Sequence, residues 1–144
     1  MDSRRAEAFS DGIFAVAITV LVFDLLSIRL HGHPYQDLLN AWPSYFAYVV
    51  SFLTIGIMWM NHHTVLAHIT RVDRPLLVLN LFLLMGVVAL PFPTALVAAQ
   101  LRKSGGGAAA VSYGLVMILI SVGFAGLWVY VVTHAPRLGR WSNR

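Results

Sequence analysis

The chain has 144 residues, of which 58% are hydrophobic and only 11% are charged. Soluble domains carry about 25% charged residues, so this composition is typical of an integral membrane protein. The net charge of +4 comes from dispersed Lys and Arg residues. We therefore expect a lipid bilayer around the protein and no nucleic-acid partner. The chain contains no cysteine, which excludes disulfides and thiolate sites.

Four long apolar segments follow one another along the chain. About 20 apolar residues suffice to cross a bilayer as a helix. The pattern predicts an all-α, polytopic membrane protein whose single transmembrane domain covers residues 1–144. Its four transmembrane helices are expected at approximately 6–30, 42–68, 75–101 and 108–133. Short polar connections join them, and no cleavable signal peptide is evident.

The distribution of Lys and Arg predicts the orientation in the membrane. Basic residues in short loops remain on the cytoplasmic side. One side holds Arg4, Arg5, Arg71, Arg74, Arg137, Arg140 and Arg144, and the other holds Arg29, Arg102 and Lys103. We therefore expect a multi-pass protein of the plasma membrane with both termini in the cytoplasm.

The third and fourth helices contain residues that predict helix shape and packing. Pro91 and Pro93 predict a bend in the third helix, because proline removes backbone hydrogen bonds. The fourth helix contains Gly114, Gly123 and Gly126, and small residues let neighbouring helices approach closely. These features concern the bundle and do not point to a particular chemistry.

The first helix presents one continuous stripe on a 3.6-residue period. The stripe contains Gly12, Val16, Thr19, Val20, Phe23 and Ser27. In a homo-oligomer, copies of this helix around a symmetry axis would line a central pore. Val16, Val20 and Phe23 would then form an apolar pore constriction, with Thr19 as a hydroxyl layer. An ordinary helix packed in a bundle has the same pattern, so the stripe alone leaves both interpretations open.

Polar residues lie where the first three helices reach the same side of the membrane. Asp11 is nearly two turns inside its helix, and Arg5 lies on roughly the opposite side, so each needs a partner elsewhere. The second helix ends with Trp59-Met-Asn-His62-His63, and Asn80 lies at a similar depth on the third helix. We expect an interhelical hydrogen-bond network in which a histidine faces Asp11.

The remaining histidine and carboxylate residues bear on three other types of site. Adjacent histidines point about 100° apart, and the i, i+4 spacing of a helical zinc pair is absent, so no metal site is expected. Asp24, near the outer end of the first helix, either attracts cations to an outer vestibule or pairs with Arg29. No phosphate-binding loop or nucleophile elbow is present, and we do not expect an enzyme.

Several spaced motifs together resemble the transmembrane protein 175 family of potassium channels. They are Arg5-x-x-x-Phe9-Ser10-Asp11-Gly12, Trp59-Met-Asn-His62-His63, Leu79-Asn80-Leu81 and Leu90-Pro-Phe-Pro-Thr94. The resemblance covers about residues 4–100. It implies a homotetrameric channel selective for potassium ions, with a hydrophobic constriction instead of a carbonyl selectivity filter, and without a cofactor.

The same resemblance implies roles for individual residues. It maps the constriction to Val16, with Val20 and Phe23 further outward, and the hydroxyl layer to Thr19. It implies a network that joins the first helix to the next two through Arg5, Phe9, Ser10 and Asp11, with His62 or His63 and Asn80 as partners. Bacterial members of the family usually have six spans, so a chain with four is expected to be a short or truncated member.

Two other functions are compatible with the residues themselves. A membrane redox subunit would use His62 or His63 as an axial haem ligand, although the third and fourth spans offer no second histidine. A non-conducting structural protein would use the polar network only to hold its bundle together.

Overall fold

The computed structural model describes residues 3–29, 32–101 and 107–138, without the side chains of 135–137. Its helices are α1 (Ser3–Val20), α2 (Val22–Leu26), α3 (Pro34–Asn40), α4 (Trp42–Ala67), α5 (Arg74–Ala89), α6 (Pro91–Gln100) and α7 (Gly107–Leu138). They provide four stretches long and apolar enough to cross a membrane, at 3–26, 42–67, 74–100 and 107–134. The predicted fold class of four transmembrane helices is confirmed.

Prolines mark where several helices begin. Each of α3, α4, α5 and α6 has a proline in its first turn, namely Pro34, Pro43, Pro75 and Pro91. The first turn tolerates proline, because the backbone N–H groups of that turn have no hydrogen-bond partner within the helix in any case. Pro91 also divides the third span into α5 and α6, and the Thr94 hydroxyl donates to the Leu90 carbonyl beside this break, at 2.9 Å.

The structure differs from the predicted boundaries at several places, one of which is the first span, whose helices lie within 3–26 where 6–30 was expected. Residues 34–40 form α3 where a polar connection was expected, because Pro34 and the first-turn Asp37 both favour a helix start. The first span is interrupted at Leu21, which separates α1 from α2. Helix α7 continues to Leu138, past the predicted end at 133. The predictions for Leu30, His31, 102–106 and 139–144 lie outside the described residues.

The bundle is built around α5, which packs most extensively against α7 and also contacts α1. Helix α4 packs against both α1 and α6. Large buried side chains from all four spans fill the centre, among them Phe14, Leu21, Ile55, Leu66, Leu76, Leu83, Leu84, Leu90, Ile120 and Leu127. Their burial fixes which face of each helix turns inward.

Three segments meet at one end of the bundle. The backbone N–H of Ser3 donates to the Thr70 carbonyl at 3.5 Å. The N–H groups of Thr70 and Arg71 donate to the Leu138 carbonyl at 3.2 and 3.0 Å. The start of α1, the α4–α5 connection and the end of α7 therefore lie together, and we call this the N-terminal end of the bundle.

Close packing of α5 on α7 requires glycine at two positions. A Cβ added at Gly86 would lie 2.8 Å from Ile120 Cγ1, and one added at Gly123 would lie 3.0 Å from Leu83 Cα. The neighbour of Gly123 is a backbone atom, which cannot move aside as a side chain can. At Gly114 a Cβ would meet nothing within 4 Å.

We expect Gly123→Ala to destabilise the protein by about 1–3 kcal/mol relative to Gly114→Ala, because overpacking forces the two helices apart. Both changes gain the same helix propensity, so their difference isolates the steric effect. Thermal unfolding in detergent would measure it. Equal unfolding temperatures for the two variants would show that α5 and α7 do not approach as closely as described.

Asp73 connects the start of α5 to α7. Its carboxylate accepts hydrogen bonds from the Leu76 N–H at 3.1 Å and from the Tyr130 hydroxyl at 2.5 Å. Slight burial raises the pKa of Asp73, but the bonds from Tyr130 and Leu76 outweigh it, and the net pKa lies below its usual value. The contact is therefore strongest with the carboxylate ionised.

A lowered pKa in the folded state means that the unfolded state takes up the proton first. The stabilisation by Asp73 is therefore complete above about pH 4, the ordinary Asp pKa, and is lost as the pH falls through the lower folded-state value. We expect acidification in this range to lower the unfolding temperature of the unmodified protein more than that of Asp73→Asn. If acidification lowered the unfolding temperatures of both proteins equally, the stabilising role of ionised Asp73 would be contradicted.

Candidate functional site

Helix α1 has two faces of different character. Phe14 and Ala17 are buried against the bundle, as is Ser10. On the opposite side Gly12, Val16, Thr19 and Val20 are exposed, and the exposed stripe continues through Phe23 on α2 to Ser27, with Val16 at 57% and Phe23 at 63%. The structure therefore leaves the whole predicted stripe uncovered by its own chain.

The Thr19 hydroxyl has a defined orientation within the stripe. It donates its proton to the Val16 carbonyl at 2.8 Å. Because the single hydroxyl proton is donated to the backbone, the oxygen can interact with other partners only through its lone pairs, as an acceptor. An exposed oxygen of this kind suits a cation better than an anion.

A chain of hydrogen bonds crosses the protein on the buried side of α1. Ser10 Oγ donates to the Ala6 carbonyl at 2.8 Å and accepts from Asn80 Nδ2 at 2.9 Å. Asn80 Oδ1 lies 2.6 Å from His62 Nε2. Ser10, Asn80 and His62 are all buried, and they belong to α1, α5 and α4 respectively. This chain therefore joins three of the four spans.

The hydrogen-bond pattern determines the donor at each link. Ser10 has a single hydroxyl proton, which the Ala6 carbonyl accepts, so Asn80 must turn its amide NH₂ towards Ser10. The carbonyl oxygen of Asn80 then faces His62, and His62 Nε2 donates to it. The other ring nitrogen, Nδ1, is buried and has no hydrogen-bond partner among the described residues.

The buried environment of His62 bears on the haem alternative. The rings of Phe14 and Phe124 lie 5.3 and 6.4 Å from the imidazole, measured between ring centres. A haem iron would need to bind a ring nitrogen directly. Since Nε2 is occupied by Asn80 and the imidazole is enclosed, a haem would have to displace these rings.

A second set of polar contacts lies towards the surface between α1 and α4. Trp59 Nε1 donates to Asp11 Oδ1 at 2.8 Å. His63 Nδ1 lies 3.0 Å from Glu7 Oε1. Asp11 therefore has Trp59 as its hydrogen-bond partner, where the sequence had suggested a histidine. Glu7 was not identified from the sequence, although its i, i+4 spacing to Asp11 places both carboxylates on one face.

The remaining predicted residues lie apart from these contacts. Arg5 and Phe9 are exposed, and the side chain of Arg5 forms no hydrogen bond or ion pair with a described residue. Asp24 Oδ2 is buried without a hydrogen-bond partner in the described part of the chain. No Asp24–Arg29 ion pair forms between these two described residues. The roles of Arg5, Phe9 and Asp24 stay predictions.

One buried polar contact was not anticipated. Ser51 Oγ and Thr94 Oγ1 lie 2.8 Å apart between α4 and α6, and the Tyr113 hydroxyl lies 3.5 Å from Ser51. Isolated hydroxyl residues in apolar helices give no distinctive sequence pattern, so this contact depends on how the helices pack.

Comparison with known proteins agrees with this architecture. Residues 5–91 match the family described as "Endosomal/lysosomal potassium channel TMEM175". A potassium channel from Streptomyces collinus is 50% identical over 96% of this chain and 66% of its own length. A potassium channel from Chamaesiphon minutus is 38% identical over 99% of this chain and 72% of its own length. The chain thus spans about two thirds of the length of these relatives.

Similarity extends to a solved structure and to animal proteins. The crystal structure of a lysosomal potassium-selective channel TMEM175 homolog from Chamaesiphon minutus superposes with a TM-score of 0.85 at 38% identity, over 94% of this chain and 74% of that one. An endosomal/lysosomal proton channel TMEM175 from Gallus gallus is 28% identical over 93% of this chain and 29% of its own length. These proteins are named as channels, in agreement with the prediction that the chain is not an enzyme.

The family match covers more than half of the chain, and its first residue, Arg5, begins the motif on which the resemblance was based. The four-span architecture and the structural superposition point to the same group of proteins. The chain is a multi-pass membrane protein that belongs to the TMEM175 family.

Proposed function

We propose that the protein is a cation channel that conducts potassium ions as a homotetramer, with α1 of each copy lining the pore. The potassium-channel names of its bacterial relatives support the choice of ion. We place the channel in the plasma membrane with both termini in the cytoplasm, in accordance with the distribution of basic residues.

The observation that carries the proposal is the exposed stripe of α1, which lies opposite the buried Ser10–Asn80–His62 chain. Hydrogen bonds from Asn80 on α5 to Ser10 and from Trp59 on α4 to Asp11 hold α1 in one rotation about its axis. That rotation directs Val16 and Thr19 away from their own bundle. A stripe that combines glycine, threonine and serine with apolar residues suits a shared pore better than a purely lipid-facing surface.

In this proposal, selectivity comes from the cost of dehydration. Rings of Val16, Val20 and Phe23 offer no ligand to replace lost water, so an ion crosses with part of its hydration shell removed. Potassium holds its water less tightly than sodium and meets the lower barrier. The Thr19 oxygens would provide partial compensation beside the constriction. Such selectivity should be modest compared with that of a carbonyl filter.

The direct test is ion flux through purified protein in liposomes. We expect potassium flux to exceed sodium flux, and protein-free liposomes to show neither. Native mass spectrometry should find four copies of the chain. Intact tetramers that pass no cation would favour the non-conducting structural alternative. A Soret band in the purified protein would favour the haem alternative.

A further inference from the structure

Three possible metal ligands lie together at the N-terminal end of the bundle. They are Glu7 and Asp11 on α1 and His63 on α4, and one ligand atom from each lies within 4.8 Å of the others. Within this cluster, His63 Nδ1 lies 3.0 Å from Glu7 Oε1. No metal site was expected from the sequence, since the adjacent His62 and His63 point about 100° apart and the i, i+4 spacing of a zinc pair is absent.

The helices separate the two histidines as expected and give them different surroundings. His62 turns into the core towards Asn80, whereas His63 turns towards the two carboxylates of α1. Glu7 and Asp11 are one turn apart, so both face α4. The cluster therefore combines ligands from two helices and does not depend on an i, i+4 histidine pair.

Trp59 already orients two of the three candidate ligands. Its Nε1 donates to Asp11 Oδ1, which leaves Oδ2 without this bond. Its ring also packs against the His63 imidazole, with ring centres 5.8 Å apart. Metal-binding carboxylates and imidazoles commonly have such supporting partners, which fix their orientation. This support distinguishes the cluster from a chance grouping of surface charges.

We propose that Glu7, Asp11 and His63 bind a divalent transition-metal ion, for which Zn²⁺ is the appropriate probe. One imidazole nitrogen with two carboxylates suits zinc, whereas calcium and magnesium prefer oxygen ligands alone. The two carboxylates balance the charge of the ion. Three protein ligands leave one tetrahedral position for water.

Small side-chain movements suffice to complete the site. Ligand atoms around a tetrahedral zinc ion lie about 3.4 Å apart, given zinc–ligand distances of about 2.1 Å. The side chains of His63 and Glu7 are 48% and 22% exposed, so both can adjust and water can reach them. Metal binding replaces the direct His63–Glu7 contact by two bonds to the ion.

A bound ion would connect α1 to α4 through their side chains, on the side of α1 away from the Val16 stripe. The site therefore lies outside the proposed pore and does not rest on the proposed function. Zinc binding can be measured on protein that conducts nothing, so failure of one proposal leaves the other open to its own test.

The test is calorimetric titration of Zn²⁺ into the untagged full chain in detergent near neutral pH. We expect one zinc ion per chain and a higher unfolding temperature when zinc is present. His63→Ala and Glu7→Gln should abolish both effects. Trp59→Phe keeps the ring but loses the bond to Asp11, and should weaken zinc binding by about tenfold. Calcium should not compete.

The matched control is His68→Ala, which removes another histidine from the same end of α4. His68 Nδ1 contacts the Thr64 carbonyl at 2.5 Å and is not among the three candidate ligands. This variant should bind zinc as the unmodified protein does. Glu7→Gln changes little in size, so its elution volume should report an intact fold. The absence of saturable zinc binding, or equal binding in Glu7→Gln and the unmodified protein, would overturn the proposal.

Discussion

Val16→Asn is expected to increase ion flux several-fold and to reduce the preference for potassium over sodium. The change adds an amide of roughly similar bulk to the proposed narrowest ring. A polar ring holds water in the pore, which removes the dewetting barrier and the cost of dehydration that favours potassium. Reversal potentials under asymmetric potassium and sodium, together with liposome flux, would measure both effects.

The matched control is Val122→Asn on α7. Val122 is 58% exposed and Val16 is 57% exposed. Val122→Asn therefore places the same amide at an equally exposed position on a different helix. It should leave selectivity unchanged. Ala17, about 100° round α1 from Val16, does not serve as a control. The structure buries it, and a polar side chain there would disturb the bundle.

Thr19→Val tests the hydroxyl layer separately from the constriction. The substitution retains the branched shape and removes only the oxygen that remains exposed after the bond to the Val16 carbonyl. We expect a lower potassium preference without the large increase in flux. Unaltered permeability ratios in both Val16→Asn and Thr19→Val, in intact tetramers, would show that this face of α1 does not line the pathway.

Asn80→Leu is expected to cause the largest loss of stability among the polar substitutions. It leaves the buried His62 Nε2–H without an acceptor and removes the donor to Ser10. An unsatisfied buried group costs about 1–3 kcal/mol. Moving the imidazole proton from Nε2 to Nδ1 does not restore a hydrogen bond, because Nδ1 also lacks a partner among the described residues. The unfolding temperature and the yield of tetramer should both fall.

Asn61→Leu provides the control for this substitution. Asn61 lies next to His62 but is exposed, so the same change removes no buried hydrogen bond. Its unfolding temperature should be close to that of the unmodified protein. If Asn80→Leu were as stable as Asn61→Leu, the chain of Ser10, Asn80 and His62 would not hold α1 in place.

The structure also changes the expectation for Asp11→Ala. The sequence suggested that a histidine faces Asp11, and breaking a buried pair of this kind costs about 3–5 kcal/mol. Its partner is Trp59, which is 40% exposed, and Asp11 itself is only partly buried. We therefore expect a smaller loss of stability for Asp11→Ala than for Asn80→Leu, which unfolding of the two variants would compare directly.

The sequence by itself determined the membrane class, the four spans and the membership of the stripe on the first span, whereas its exposure came from the structure. Length and hydropathy specify a spanning helix because every backbone polar group must be satisfied within the bilayer. The 3.6-residue period places Val16, Thr19 and Phe23 on one face of the first span, and no contact with another span is needed to predict it. The division of the third span at Pro91 could also be predicted from the local sequence, because proline removes a backbone hydrogen bond.

Only the tertiary structure decided which polar side chains meet. Adjacent histidines look alike in the sequence, yet His62 bonds to Asn80 in the core and His63 approaches Glu7 near the surface. Those assignments depend on how far each helix is rotated about its axis and shifted along it, which hydropathy does not specify when most residues of a span are apolar. Packing of the four spans, including the close approach at Gly123, sets both quantities.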